Sequence, residues 1–226
     1  MAIFKNTPPV VTNGLLVYLD VANPTSYVSG SSIWRNVIPT SPYSSSLQGP
    51  TQYSTLNGGS IIFNSISYAS TNYIAPSPSL TSSTYEVAFR PVATINDFSG
   101  LIGYSGYLTD GFSLGMFPNY IVSQGFSGST AFYDSFNINP SSSVVVTAVF
   151  GNRTNTYYVN GTFVARTTYA FDLPSSPVGV RIGNQTQGGW SNGNTHLFNV
   201  KIYNRALTAN EVTQNYNATK VRFNLT

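Results

Sequence analysis

The stretch from His196 to Phe223, HLFNVKIYNRALTANEVTQNYNATKVRF, limits the architecture more than any other part of this chain. Its first part alternates. Phe198, Val200 and Ile202 fall on one side, and Asn199, Lys201 and Tyr203 on the other, the period of a strand with one buried face. At Thr208 the period changes. Thr208 with Glu211 three residues on has the spacing of a capping box. Val212 and Tyr216, four apart, then share one face of a short helix. No other segment carries a convincing helix signal. A strand feeding one late helix predicts a helix that covers an otherwise all-β body.

The rest of the chain reads as short strands between turn signals. GLLVYLD (14–20) places Leu15, Val17 and Leu19 on one face. Strands are expected at 60–64, 68–74, 85–90, 100–104, 112–117, 120–122, 130–133 and 178–183, with a Ser/Pro-rich loop from Trp34 to Pro50. SVVVTAVF (143–150) is apolar on both faces and predicts a central, doubly covered strand. Asn160-Gly161, between NTYYV (155–159) and TFVA (162–165), is the strongest hairpin signal, because both residues accept the positive φ of a type I′ turn. About twelve short strands at this spacing argue a sandwich or barrel. One domain over residues 14–226 is expected, preceded by an extended arm over 1–13 that could dock on a neighbouring subunit.

Composition narrows the function classes. Charged residues make up 8% of the 226, against roughly 25% in ordinary globular chains. The polar surface must therefore come from Ser, Thr, Asn and Gln, a coat common on extracellular and viral proteins. Sixteen Tyr and fourteen Phe speak against disorder. The net charge of +3 comes from scattered basic residues, not from the clustered stripe a nucleic-acid surface needs. No run is long and apolar enough for a membrane helix. MAIFKNTPPVV lacks the apolar core of a secretory signal. With no cysteine, disulfides and thiolate metal sites are excluded.

Five pieces, taken in order, resemble a known family. They are GLLVYLDVANPTSY (14–27) with Trp34-Arg35-Asn36, NGGSIIFN (57–64) followed by Tyr68 or Tyr73, TYEVAFRP (84–91), VVVTAVFGNRTNTYYVNGTFVA (144–165), and LFNVKIYNRALTANEVTQNYNATKVRF (197–223). The chain resembles a concanavalin A-like jelly roll of the laminin-G-like type. The resemblance implies an all-β fold of two antiparallel sheets packed as a sandwich, with one short C-terminal helix. The opening and closing pieces are most similar to versions in bacteriophage and other viral structural proteins. That implies a virion role (capsid decoration, head fibre or tail-associated protein) on the particle exterior, with other virion proteins and further copies of the chain as partners.

The residues argue against catalysis. A glycosidase needs two carboxylates about the scissile bond. The chain has only Glu86, alone on its strand, and Glu211, in the capping box; the five aspartates are dispersed. His196, the single histidine, reads as a strand-start residue with a local hydrogen bond. No cofactor and no required metal are expected. The weak calcium candidate is Asp110 in the turn TDG, since calcium wants several carboxylates. Glycan binding is the alternative function. GNQTQGGWSNGN (183–194) sets Trp190 among amides, with Asn192 and Asn194 nearby, and Tyr104 and Tyr107 flank a second Gly-rich turn. Aromatics that stack on sugars beside amides that bind hydroxyls make these five residues candidates for host glycans or for a protein interface.

Overall fold

The structure is a computed structural model, and it describes residues 9–64, 66–77, 81–91, 98–104, 110–139, 141–175, 179–183 and 195–225. In chain order the strands are β1 (Leu15–Asp20), β2 (Ile33–Trp34), β3 (Ser45–Gln48), β4 (Gln52–Ser54), β5 (Ser60–Phe63), β6 (Tyr68–Thr71), β7 (Ser83–Pro91) and β8 (Ser99–Gly103). They continue as β9 (Gly111–Phe117), β10 (Tyr120–Ser127), β11 (Thr130–Asn137), β12 (Val144–Gly151), β13 (Thr154–Val159), β14 (Thr162–Thr168), β15 (Arg181–Ile182) and β16 (Thr195–Tyr203). Helix α1 (Ala209–Thr219) and a 3-10 turn (Lys220–Phe223) close the chain.

Antiparallel pairing builds two sheets. The first runs β14-β13-β12-β7-β16-β5-β4, with β1 also paired to β16. The second runs β11-β10-β9-β8-β15-β6-β3-β2. Tyr85, Val87 and Phe89 of β7, Val144, Val146, Ala148 and Phe150 of β12, and Phe112, Leu114 and Met116 of β9 fill the core between them. The expected all-β sandwich with one late helix is what the chain forms.

The first sheet is covered on its outer face too. Ala88, Val145 and Phe198 meet Tyr216 and Phe223, while Val149, Tyr158 and Tyr203 meet Val212, Leu207 and Val11. That second layer explains why β12 is apolar on both faces. The helix starts where expected: the Thr208 side chain accepts from the Glu211 N–H, and the Glu211 carboxylate accepts from the Thr208 N–H. The β13–β14 hairpin turns through Asn160 (φ 50°) and Gly161 (φ 75°), the left-handed pair that the Asn-Gly dipeptide predicts.

Two expectations change. Phe198 was expected on the face of Val200 and Ile202, but the β16–β7 register shifts between Leu197 and Asn199. This bulge swings Phe198 to the helix side and leaves Leu197, Val200 and Ile202 in the sandwich core. The stretch from Trp34 to Pro50 is not all loop, since it contains β3. There only Leu47 supplies an inward apolar side chain, with Ser45 beside it, so the alternation is faint. The described part of the arm, residues 9–13, is tied to its own chain. The Val11 N–H donates to Asn215 Oδ1 (2.8 Å), Gln214 Nε2 donates to Pro9 O (2.8 Å), and Arg205 Nε donates to Asn13 O (2.9 Å).

Candidate functional site

The acidic side chains come first, because hydrolysis would need them. Glu86 on β7 lies under helix α1 with no exposed surface. Its Oε1 takes Lys201 Nζ at 2.6 Å, and its Oε2 takes Thr147 Oγ1 at 3.2 Å and Asn215 Nδ2 at 3.3 Å. Glu211 is held by both Arg205 guanidinium nitrogens at 2.9 and 2.5 Å, and its carboxyl is pushed down to about 2, chiefly by those bonds. Asp20 pairs with Arg222 at 2.6 Å and Asp172 with Arg153 at 2.8 Å. Asp134 accepts from Tyr157 and Thr167 hydroxyls. His196 Nδ1 meets Ser60 Oγ at 2.8 Å, and burial, with Arg90 nearby, lowers its pKa.

Of the glycan candidates, Trp190, Asn192, Asn194 and Tyr107 lie outside the described residues. Tyr104 is a correction. It is 2% exposed, packs its ring against Phe112, and donates its hydroxyl to Pro174 O at 3.0 Å. With its faces inside the core, it has none to offer a sugar. Asp110 is exposed, and its Oδ1 accepts the Gly128 N–H at 2.7 Å. Among the described residues no three His, Asp or Glu side chains converge as a metal site would require.

Among the described residues, one polar row and two clefts remain. Strand registry across the second sheet lines up Ile33, Ser46, Ser70, Arg181, Gly103, Ser113, Gln124 and Tyr133, of which Gly103, Ser113 and Gln124 are buried and Gln124 Nε2 donates to Ser113 Oγ at 2.9 Å. The row contains no carboxylate. Beside the helix start, Tyr158, Phe163, Arg166 and Thr156 line a groove of about 420 Å³. At the opposite edge, where β4 ends the first sheet and β2 ends the second, lies a cleft of about 470 Å³. Tyr27, Ser29, Gly30, Ser31, Thr51, Gln52 and Tyr53 line it. Tyr53 stacks on Tyr27 with ring centroids 6.1 Å apart and remains 40% exposed. Burial raises the pKa of the Tyr27 phenol, and a hydrogen bond with the Gly30 backbone partly offsets this. Sequence reasoning missed the pair. Tyr27 and Tyr53 sit on separate segments that only sheet pairing brings together, and the visible signal was no more than a tyrosine beside each of two small polar runs, TSYVSGSS and GPTQYST.

Residues 63–213, more than half of the chain, match the family profile described as the concanavalin A-like lectin/glucanases superfamily. The chain belongs to that superfamily. No curated protein matches the sequence. Among solved structures, this superfamily member is similar to the botulinum neurotoxin serotype G binding domain at 13% identity and a TM-score of 0.66, with 89% of this chain and 50% of that one covered. It is similar to the binding domain of botulinum neurotoxin DC in complex with SialylT at 12% identity and a TM-score of 0.69, covering 91% and 51%. Trypanosoma rangeli sialidase in complex with sialic acid aligns at 15% identity and a TM-score of 0.69, covering 96% and 36%. These identities show a common fold. The superfamily member spans about half of the toxin binding domains and about a third of the sialidase.

Proposed function

We propose that this chain is a carbohydrate-binding domain that does not hydrolyse its ligand. The observation that carries the reading is the state of the described carboxylates, of which Asp110 and Asp134 bond only neutral groups; Asp97 lies outside the described residues. In a superfamily described by lectins and glucanases, each of Asp20, Glu86, Asp172 and Glu211 is held by its own cation. Glu86, which a sequence scan would pick first, is sealed beneath the helix. A glycosidase needs one free carboxylic acid facing another carboxylate across a substrate, and the polar row on the second sheet carries neither. Binding needs only an aromatic face and neutral hydrogen-bonding groups, which the cleft lined by Tyr27, Tyr53 and their polar neighbours supplies. In support, a toxin binding domain in complex with SialylT and a sialidase in complex with sialic acid each contain a part with this fold.

The test is a glycan array with the purified chain, followed by incubation of each hit with the protein at high concentration. Retention of defined glycans with no released sugar supports the reading. Turnover of a hit, or a blank array at millimolar-equivalent valency, contradicts it.

A second reading is favoured by strand β14. It ends the first sheet, with no further strand paired to it among the described residues, and exposes Phe163 (56%) and Val164 (39%). Such an edge invites strand addition by a partner or a second copy. With the similarity of the opening and closing pieces to viral structural proteins, it supports a domain displayed on a virion exterior that docks to virion proteins. The two readings are compatible. Finding the chain as a component of purified particles would support the second, and finding it only as a free monomer would remove it.

A further inference from the structure

The cleft at the open edge of the sandwich has a chemistry narrower than glycan binding in general. Its lining is two tyrosines, two serines, a threonine, a glutamine and a glycine, with no charged side chain. Tyr53 packs beside Tyr27 in an offset stack, with planes 27° from parallel, and keeps 40% of its surface exposed. An aromatic ring packed against a second ring has less side-chain freedom to lose when a ligand stacks on it. Around it, Ser29, Thr51 and Gln52 supply hydroxyl and amide groups that both donate and accept, as a pyranose rim requires, while Ser31 Oγ donates to Ile33 O and accepts the Ile33 N–H, both at 3.0 Å, and shapes the loop. Gly30, at φ +82°, has open space where a Cβ would stand.

We infer that the Tyr27–Tyr53 cleft is a subsite for a neutral sugar, which stacks on Tyr53 and hydrogen-bonds to the surrounding hydroxyls and Gln52. This rests on the carbohydrate-binding reading and gives it a place and a ligand class. An acidic sugar is disfavoured here, because a carboxylate entering the cleft would leave water and find no cation among the lining residues. By the same reasoning, binding should change little with salt.

The experiment is NMR titration of the full chain with lactose, cellotriose and chitotriose as neutral probes and 3′-sialyllactose as the acidic one. Tyr53→Ala and Gln52→Ala are titrated in parallel, with urea midpoints confirming that both fold. The expected result is shifts confined to residues 27–31 and 51–53 with at least one neutral probe. Tyr53→Ala should weaken that probe by about ten-fold or more, the scale of a lost aromatic contact. Tyr53→Phe, which keeps the ring, should weaken it by less. Two results would overturn the assignment while leaving the lectin reading intact: shifts that map elsewhere with Tyr53→Ala binding as tightly as the parent, or sialyllactose outcompeting lactose in this cleft. Failure of every probe, together with a blank array, would remove both the assignment and the reading it rests on.

Discussion

Lys201 and Glu86 are charged residues with no exposed surface, in a chain that has few charges to place. Their pairing is geometrically complete. The ammonium meets Oε1 at 2.6 Å and lies 5.3 Å from the Tyr18 ring centroid, while Oε2 takes Thr147 and Asn215. Removing one partner strands the other in a dry layer, so Lys201→Met should cost about 3–5 kcal/mol. The double variant Glu86→Gln/Lys201→Met should recover most of that, because an amide still partners Thr147 and Asn215 without a buried charge. Urea denaturation of the three proteins checks it, and a double variant less stable than Lys201→Met alone would refute it. Glu211 behaves differently, since it is partly solvated. Hydrogen bonds from Arg205, then from Thr208, lower its folded pKa to about 2 from an ordinary value of 4.5. Its contribution is therefore fully present above about pH 4.5 and is lost as pH falls toward 2. A melting-temperature series from pH 6 to 2 should show Glu211→Gln less stable than the parent by about 1 kcal/mol at pH 6. The gap should close at the acid end, and a gap independent of pH would contradict the assignment.

At the scale of elements, the decisive contact joins the β13–β14 hairpin to helix α1. Gly161 turns the hairpin at φ +75°, and a Cβ there would lie 3.0 Å from the Tyr216 ring. Gly128, in the β10–β11 turn at φ +58°, has nothing within 4 Å of the same position. Both substitutions to alanine incur left-handed strain of about 1–2 kcal/mol, but only Gly161→Ala also pushes on the helix. It should be the more destabilising by about 1 kcal/mol in chemical denaturation, and equal losses would mean that the ring moves aside freely. The Asn-Gly turn, the capping box and the doubly apolar β12 were legible in sequence because each is local, written in adjacent residues or in one period. The bulge at Phe198 was not, because it is a property of how β16 pairs with β7. Nor was the burial of Lys201 legible, since a lysine on an alternating strand reads as solvated until the helix is placed above it. The candidate cleft failed for the same reason: Tyr27 and Tyr53 become neighbours only once β4 and β2 take the edges of their sheets.

In the whole molecule, the two ends of the chain close one layer together. β1 pairs with β16, Arg222 reaches Asp20 at 2.6 Å and donates to Asn57 and Gly59 carbonyls, and Asn215 of the helix holds the Val11 N–H. Helix α1 is therefore more than an appendix to a finished sandwich. Without it Ala88, Val145, Phe198 and Tyr203 would lose the apolar cover of the first sheet, and each large side chain so uncovered forfeits roughly 1.5–3 kcal/mol. The Glu86–Lys201 pair would be left in a half-wet layer without its Asn215 hydrogen bond, and Asp20 without its cation. These losses together are comparable to what a domain of this size holds in reserve, about 5–15 kcal/mol. Deletion of residues 209–226 should therefore abolish the single cooperative urea transition and leave a species that binds a hydrophobic dye while retaining strand signal in far-ultraviolet circular dichroism. A milder cut removing only residues 224–226 leaves Phe223 and Arg222 in place and should unfold as sharply as the parent. If the longer deletion also unfolded cooperatively, the sandwich would be a self-sufficient unit and the helix a late addition to its surface.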